Sequence, residues 1–179
     1  MNPKNWKIQL IPLSSLFVSN LNIRKNGVET NLEPLKVNIR KNGVFDPLTV
    51  KPASDGKYEI IKGQRRFLAI SELAKIEPAF RQVPCIIVDY DDDEAILASI
   101  SDDRLKYPVS EKDYVPVVIK FEKRWNKEEV ARRCGLQDVE EVSYYLGRAI
   151  RTEPATVVQR KAVHVAQVKK KKSIGQQSF

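Results

Sequence analysis

Between Lys57 and Ala74 the sequence KYEIIKGQRRFLAISELA changes its period at a single glycine. Before Gly63 the run is short, apolar and rich in isoleucine. After it, Phe67, Ile70, Leu73 and Ala74 recur at helical spacing. A chain with this junction must set the end of a strand against the start of a helix. The first amides of that helix have no intrahelical acceptor, and the helix dipole adds partial positive charge at the same end. Such a terminus binds phosphate. Gly63 lets a ligand come close to the backbone. Arg65 and Arg66 bring forked donors that match phosphate oxygens. The dipole disfavours arginine in a first turn, so their position asks for a functional reason. Gly63, Gln64, Arg65 and Arg66 are therefore read as an anion cradle. The plainer account of the same four letters is a surface loop with two solvated arginines.

The flanking sequence extends the pattern. Residues 7–16 (KIQLIPLSSL) read as a strand that stops near Pro12, and 18–27 as loop. Thr30 or Asn31 can cap a helix through LEPLKVNIRKN, with Pro34 tolerated in its first turn. Asn42-Gly43 supplies its stop. Residues 45–52 (FDPLTVKP) and the 57–62 strand flank an ASDG turn, which makes them a hairpin. Residues 83–90 (VPCIIVDY) are nearly all apolar, as in a strand at the middle of a sheet. DDDEAILASISDD follows as a helix with acids in its first turn. The fold class is α+β, a small mixed-sheet lobe over 1–100 followed by an all-helical region over 101–150. Residues 151–179 form a basic C-terminal segment, helical or disordered.

That segment dominates the charge. Of the net +8 on 179 residues, +6 falls after residue 150, where seven basic residues including Lys169, Lys170, Lys171 and Lys172 meet Glu153 alone. A basic end on a nearly balanced body fits contact with a polyanion, or a solubilising tail. No apolar run approaches the roughly 18 residues of a membrane span, and the N-terminus does not read as a signal peptide. Cys85 and Cys134 lie far apart, and the expectation is reduced thiols in a cytoplasmic protein. One histidine, His164, excludes a site that needs several imidazoles.

In the helical region Ser110 and Asp113 form a capping box, despite Pro116 a few residues on. NKEEVARRCGLQDVEEVSYYLGRAI then has the form of a helix-turn-helix. Asn126 caps, Val130 and Ala131 face inward, Gly135 turns, and Val139, Val142 and Leu146 hold the second helix. Gln137, Ser143, Tyr144 and Arg148 are the candidate base contacts of that second helix, whose start is acidic at Asp138, Glu140 and Glu141. Lys127, Arg132 and Arg133 are candidates for backbone phosphates. The alternative is a helical hairpin that packs on the lobe and reads nothing.

The order of these elements resembles the N-terminal domain of the ParB family of partition proteins, over roughly residues 8–150. Its G-[ILV]-x-Q-P-[ILV]-x-V-[RK] segment stands here as Gly43-Val44-Phe45-Asp46-Pro47-Leu48-Thr49-Val50-Lys51. Its G-E-R-R-x-R-A motif stands as Gly63-Gln64-Arg65-Arg66-Phe67-Leu68-Ala69, and its E-N-x-x-R as Asp102-Asp103-Arg104-Leu105-Lys106. Its early N-P-x-Q-P-R appears loosely in Asn20-Leu21-Asn22-Ile23-Arg24. The Ala131-x-x-x-Gly135 spacing matches the family's helix-turn-helix.

The resemblance implies a lobe that binds CTP and Mg²⁺. Gly63 to Arg66 and Arg24 would then hold phosphates, Phe45, Asp46, Pro47 and Leu48 would line the base pocket, and Asp102 and Asp103 would stand near the metal. It also implies DNA as partner, a partition ATPase, self-association through the lobe, a nucleoid location and at most slow CTP hydrolysis. Gln64 for Glu, Leu68 for Arg, Asp46 for Gln, Asp103 for Asn and Lys106 for Arg depart from the pattern and leave base identity open. The lobe also resembles sulfiredoxin, but its phosphate loop carries Gln64 and no thiol, and Cys85 falls within an apolar strand. The remaining alternatives are a nucleotide-independent DNA-binding regulator and a ParB-like nuclease or triphosphatase.

Overall fold

The structure, a computed structural model, describes residues 7–103 and 109–152, with side chains over 7–100 and 109–149. Its mixed sheet holds β1 (Ile8–Pro12), β2 (Leu16–Val18), β3 (Leu48–Pro52), β4 (Tyr58–Lys62) and β5 (Gln82–Ile87), in the spatial order β1-β5-β3-β4-β2. β3 and β4 form the expected antiparallel hairpin. β1 is antiparallel to β5, and the β3–β5 and β2–β4 pairs are parallel. β5 is flanked on both sides, as its apolar run predicts, and Val83 and Cys85 are fully buried in it. Burial pushes the Cys85 thiol up to about 12, so it stays protonated.

The first strand stops at Pro12 as its sequence predicts, and what the sequence reading lacks is the strand that follows. After a 3-10 turn at Leu13–Ser15 the chain resumes as β2, parallel to β4 at the opposite edge. Three residues are too few for β2 to show a period of its own.

Helices α1 (Glu33–Asn42) and α2 (Gln64–Leu73) pack against each other. α2 buries Ala69, Ile70 and Leu73 in a core with Leu48, Val50, Ile60 and Val83. Each fully buried aliphatic side chain there contributes about 1.5–3 kcal/mol. Gly43 ends α1 at φ 76°, its N–H donating to the Ile39 carbonyl. The expected N-cap is corrected. Leu32 occupies that position and no side chain caps it. Thr30 Oγ1 instead donates back to the Gly27 carbonyl, and Asn31 takes a left-handed φ of 55°. Both residues are spent on the loop before the helix.

After the sheet come α3 (Asp92–Asp103), α4 (Glu111–Glu122), α5 (Lys127–Cys134) and α6 (Val139–Thr152). Ser110 and Asn126 cap α4 and α5 by accepting from the amides of Asp113 and Glu129. A second core joins Ile96, Ile100, Tyr114, Val118, Phe121, Val130, Ala131, Cys134, Leu136 and Val142. Ile23, from the loop after β2, is buried in it and ties the lobe to the helices. Among the described residues no helix is long and apolar enough to cross a membrane.

Candidate nucleotide pocket and helical interface

β4 ends at Lys62, and Gly63 bridges to α2 at φ 90°, ψ 24°. A Cβ at Gly63 would lie 2.5 Å from Leu48 Cδ2. Leu48 is fully buried, so its side chain would have to shift within the core to make room. Glycine is therefore required here for both its dihedral and its bareness. No side chain caps the first turn of α2, and no carboxylate lies in it.

In front of this turn is a pocket of about 380 Å³. Arg24, Lys62, Arg65 and Arg66 line it, and Asp46 is the only carboxylate among its described lining residues. Asn22, Asn31, Asn38, Gln64 and Ser99 add neutral polar groups, while Val28, Pro34, Leu35 and Ile61 add apolar wall. This is the size and mixture of a small-molecule site, with charge suited to an anion.

The two arginines of α2 also build the walls. Arg65 donates to the carbonyls of Gly27, Val28 and Asn31 at 3.4, 3.3 and 3.2 Å, which gathers the 27–31 loop beside the pocket. Arg66 donates to the carbonyls of Asp46 and, at 3.1 Å, Pro47. These bonds anchor both guanidinium groups to the backbone of the loops that border the pocket.

The structure brings Gly63, Gln64, Arg65, Arg66, Arg24 and Asp46 together, although Arg24 lies forty residues earlier in the chain. Of the other candidates for the base pocket, Phe45 is 91 % exposed and does not line the cavity. Pro47 offers a carbonyl to Arg66, and Leu48 supports Gly63 from below. Asp102 and Asp103 close α3, and their side chains lie outside the described ones. Asn22, Asn31, Asn38, Lys62 and Ser99 were missed from the sequence. Lys62 could have been found as the last residue before Gly63. Asn22 lies two residues before Arg24, inside the loose N-P-x-Q-P-R counterpart from which only Arg24 is carried to the site. Ser99 is on a helix that nothing local connects to the site.

The segment carrying Asn22 and Arg24 is held on three sides. Asn22 Nδ2 donates to the Ile60 carbonyl at 3.0 Å. The Ile23 amide donates to Ser99 Oγ at 3.1 Å. The amides of Lys25 and Asn26 both donate to Asp113 Oδ2 at 3.2 Å, and Asn26 Nδ2 donates to Asp113 Oδ1 at 2.7 Å. Asp113 is a buried carboxylate in the first turn of α4. Burial lowers the Lys25 pKa, with the Asp113 charge opposing. The pocket's Arg24 is thus one residue from a latch to the helical region.

In that region Gly135, at φ 66° and ψ 28°, turns the chain between α5 and α6. Lys127, Arg132, Arg133, Gln137, Ser143 and Tyr144 are exposed, and Arg148 is half-buried. Each meets a neighbour. Lys127 Nζ donates to Ser143 Oγ at 3.0 Å. Arg132 makes a bidentate pair with Glu129, and Arg133 bonds the same carboxylate while lying over the Trp125 ring. The two guanidinium groups hold the Glu129 carboxyl down to about 2. Arg148 and the Tyr144 hydroxyl both reach Glu111 of α4. The acidic start of α6 is its cap, since Asp138 Oδ1 accepts from the Glu141 amide and Glu141 accepts from the Gln137 amide. Lys169 to Lys172 lie outside the described residues.

Residues 2–103 match the model of the ParB N-terminal domain. The chain belongs to the ParB N-terminal domain family. It is 31 % identical over 128 residues to the chromosome-partitioning protein Spo0J of Thermus thermophilus, covering 70 % of this chain and 45 % of that one. It is 30 % identical over 88 residues to a nucleoid occlusion protein of a Geobacillus species, covering 49 % of this chain and 30 % of the relative. It thus spans less than half the length of these curated relatives. The fold is similar, at TM-score 0.54 and 20 % identity, to the C-terminally truncated ParB of Caulobacter crescentus complexed to the centromeric parS site, covering 76 % of this chain and 69 % of that one.

Proposed function

We propose that this chain is a nucleoid-associated, DNA-binding partition protein of the ParB type, whose lobe binds CTP with Mg²⁺ and whose helical region binds DNA. The observation that carries this is the gathering of Arg24, Lys62, Arg65 and Arg66 around the bare first turn of α2. Gly63 and the α2 amides would receive phosphate oxygens, with Arg24 and Lys62 as counter-charges. The apolar wall of Val28, Pro34 and Leu35 offers a surface for a base. Family membership and the likeness to a ParB seated on parS support DNA as the partner. A partition ATPase, self-association through the lobe, Asp102 and Asp103 near the metal, and Lys127, Arg132, Arg133, Gln137, Ser143, Tyr144 and Arg148 on DNA complete the proposal.

The same geometry offers a route between the two ligands. A phosphate drawing on Arg24 draws on Lys25 and Asn26, whose amides bind Asp113 of α4. α4 packs against α6, where the Tyr114 and Tyr145 rings stack at 5.0 Å. The test is a mobility shift on centromere-type DNA with and without CTP and Mg²⁺, at two salt concentrations. Binding should weaken with salt and change with CTP. A nucleotide-independent regulator is the second reading, favoured by the bonds that Arg65 and Arg66 already make to lobe carbonyls. It predicts DNA affinity indifferent to nucleotide and to Arg66→Ala.

A further inference from the structure

Asn22 is 4 % exposed and lines the pocket. Its Nδ2 donates to the Ile60 carbonyl and lies 3.5 Å from Gln64 Oε1. The Ile60 bond fixes the amide, because the reverse orientation would set oxygen against oxygen. Oδ1 is left buried with no donor among the described residues. A buried acceptor in that state is costly, and it stands beside the first turn of α2.

The groups that recognise phosphate in this pocket are donors, and phosphate oxygens are acceptors. Phosphate itself therefore cannot satisfy Asn22 Oδ1. What a nucleoside triphosphate brings to its phosphate end as a donor is the hydration shell of its magnesium ion. Mg²⁺ keeps several waters when it rides on phosphates, and those waters are strong donors toward a neutral carbonyl oxygen.

Resting on the nucleotide reading above, we infer that Asn22 Oδ1 receives a water ligand of the Mg²⁺ carried by the bound triphosphate. Asn22 is then the residue through which the lobe distinguishes a metal-loaded nucleotide from a bare one. Asn22 would hold the hydrated ion from outside its ligand shell, through one of its waters.

The experiment is calorimetric titration of CTP in Mg²⁺ and in EDTA, on the wild type, Asn22→Leu and Asn22→Asp. The readout is the factor by which Mg²⁺ tightens binding. Asn22→Leu removes the acceptor and should cut that factor by about tenfold. Asn22→Asp keeps an acceptor and adds charge. It should bind poorly in EDTA and recover in Mg²⁺, so its factor rises. Both variants lose the bond to Ile60, so damage to the fold alone would move both in one direction. Near the phosphate end, a ribose hydroxyl is the other donor a nucleotide could offer, since the N4 amine of cytosine sits at the far end of the molecule. If 2′,3′-dideoxy-CTP binds wild type about tenfold more weakly than CTP and equally to Asn22→Leu, the hydroxyl is the partner and the inference is overturned. An unchanged Mg²⁺ factor in Asn22→Leu overturns it while leaving CTP binding intact. No binding of CTP to the wild type under either condition removes the nucleotide reading and this inference together.

Discussion

Gly63 is where one atom decides most. Gly63→Ala would add the left-handed backbone cost of about 1–2 kcal/mol to a clash with Leu48 Cδ2. We expect the melting temperature to fall by about 5 °C or more, and CTP affinity to drop more than tenfold, measured by differential scanning calorimetry and isothermal titration. The need for glycine was legible in the sequence, from the change of period at that residue. The clash that enforces it was not, because Leu48 is fifteen residues away in another strand. Cys85 makes a second prediction at this scale. Its folded value of about 12 lies above the ordinary 9.0, so burial of the neutral thiol stabilises the fold fully below pH 9. That contribution is lost as pH rises from 9 toward 12, because the unfolded thiol ionises first. At pH 8 Cys85 should react with an alkylating reagent only at the rate of unfolding, measured by mass spectrometry of the peptide carrying it.

In the proposed coupling of nucleotide to DNA, the contact between α4 and the loop after β2 is the element that carries it. Asp113→Ala would leave the amides of Lys25 and Asn26 without their acceptor. The loss in stability should be about 3 kcal/mol by denaturant titration. The same variant should lose any effect of CTP on DNA affinity. Periodicity and capping chemistry gave the helices well. The α4 and α5 caps, the α1 stop and the strand–glycine–helix junction are all local features that a single sequence exposes. One short strand went unread and one cap was misplaced. β2 is three residues long, and Thr30 and Asn31 serve a loop that Arg65 organises from another element. The second use of Asp113, as a latch across 88 residues, is tertiary and had no signature beyond its place in a capping box.

At the scale of the molecule, the two arginines of α5 are paired with a carboxylate of their own helix. Glu129 holds both Arg132 and Arg133, so part of their charge is spent internally. Glu129→Gln should release it. DNA affinity should then rise by about threefold to tenfold at low salt, with a steeper dependence on salt concentration, measured by fluorescence anisotropy. No change would place these arginines away from DNA. The pocket itself could be assembled only in part from the chain. Gly63 to Arg66 announced it, and Arg24 came through the family pattern. The walls of Asn22, Asn38 and Ser99 depend on three separate elements meeting.

The central claim is that the first turn of α2 and the cations around it hold the phosphates of a nucleotide. The direct measurement is isothermal titration of CTP with Mg²⁺ into the protein, alongside the other three nucleoside triphosphates and Gly63→Ala. The account predicts saturable binding of at least CTP, with a Kd of about 1–100 μM, abolished by the substitution. No heat from any nucleotide up to about 1 mM, or binding that Gly63→Ala leaves untouched, would contradict it.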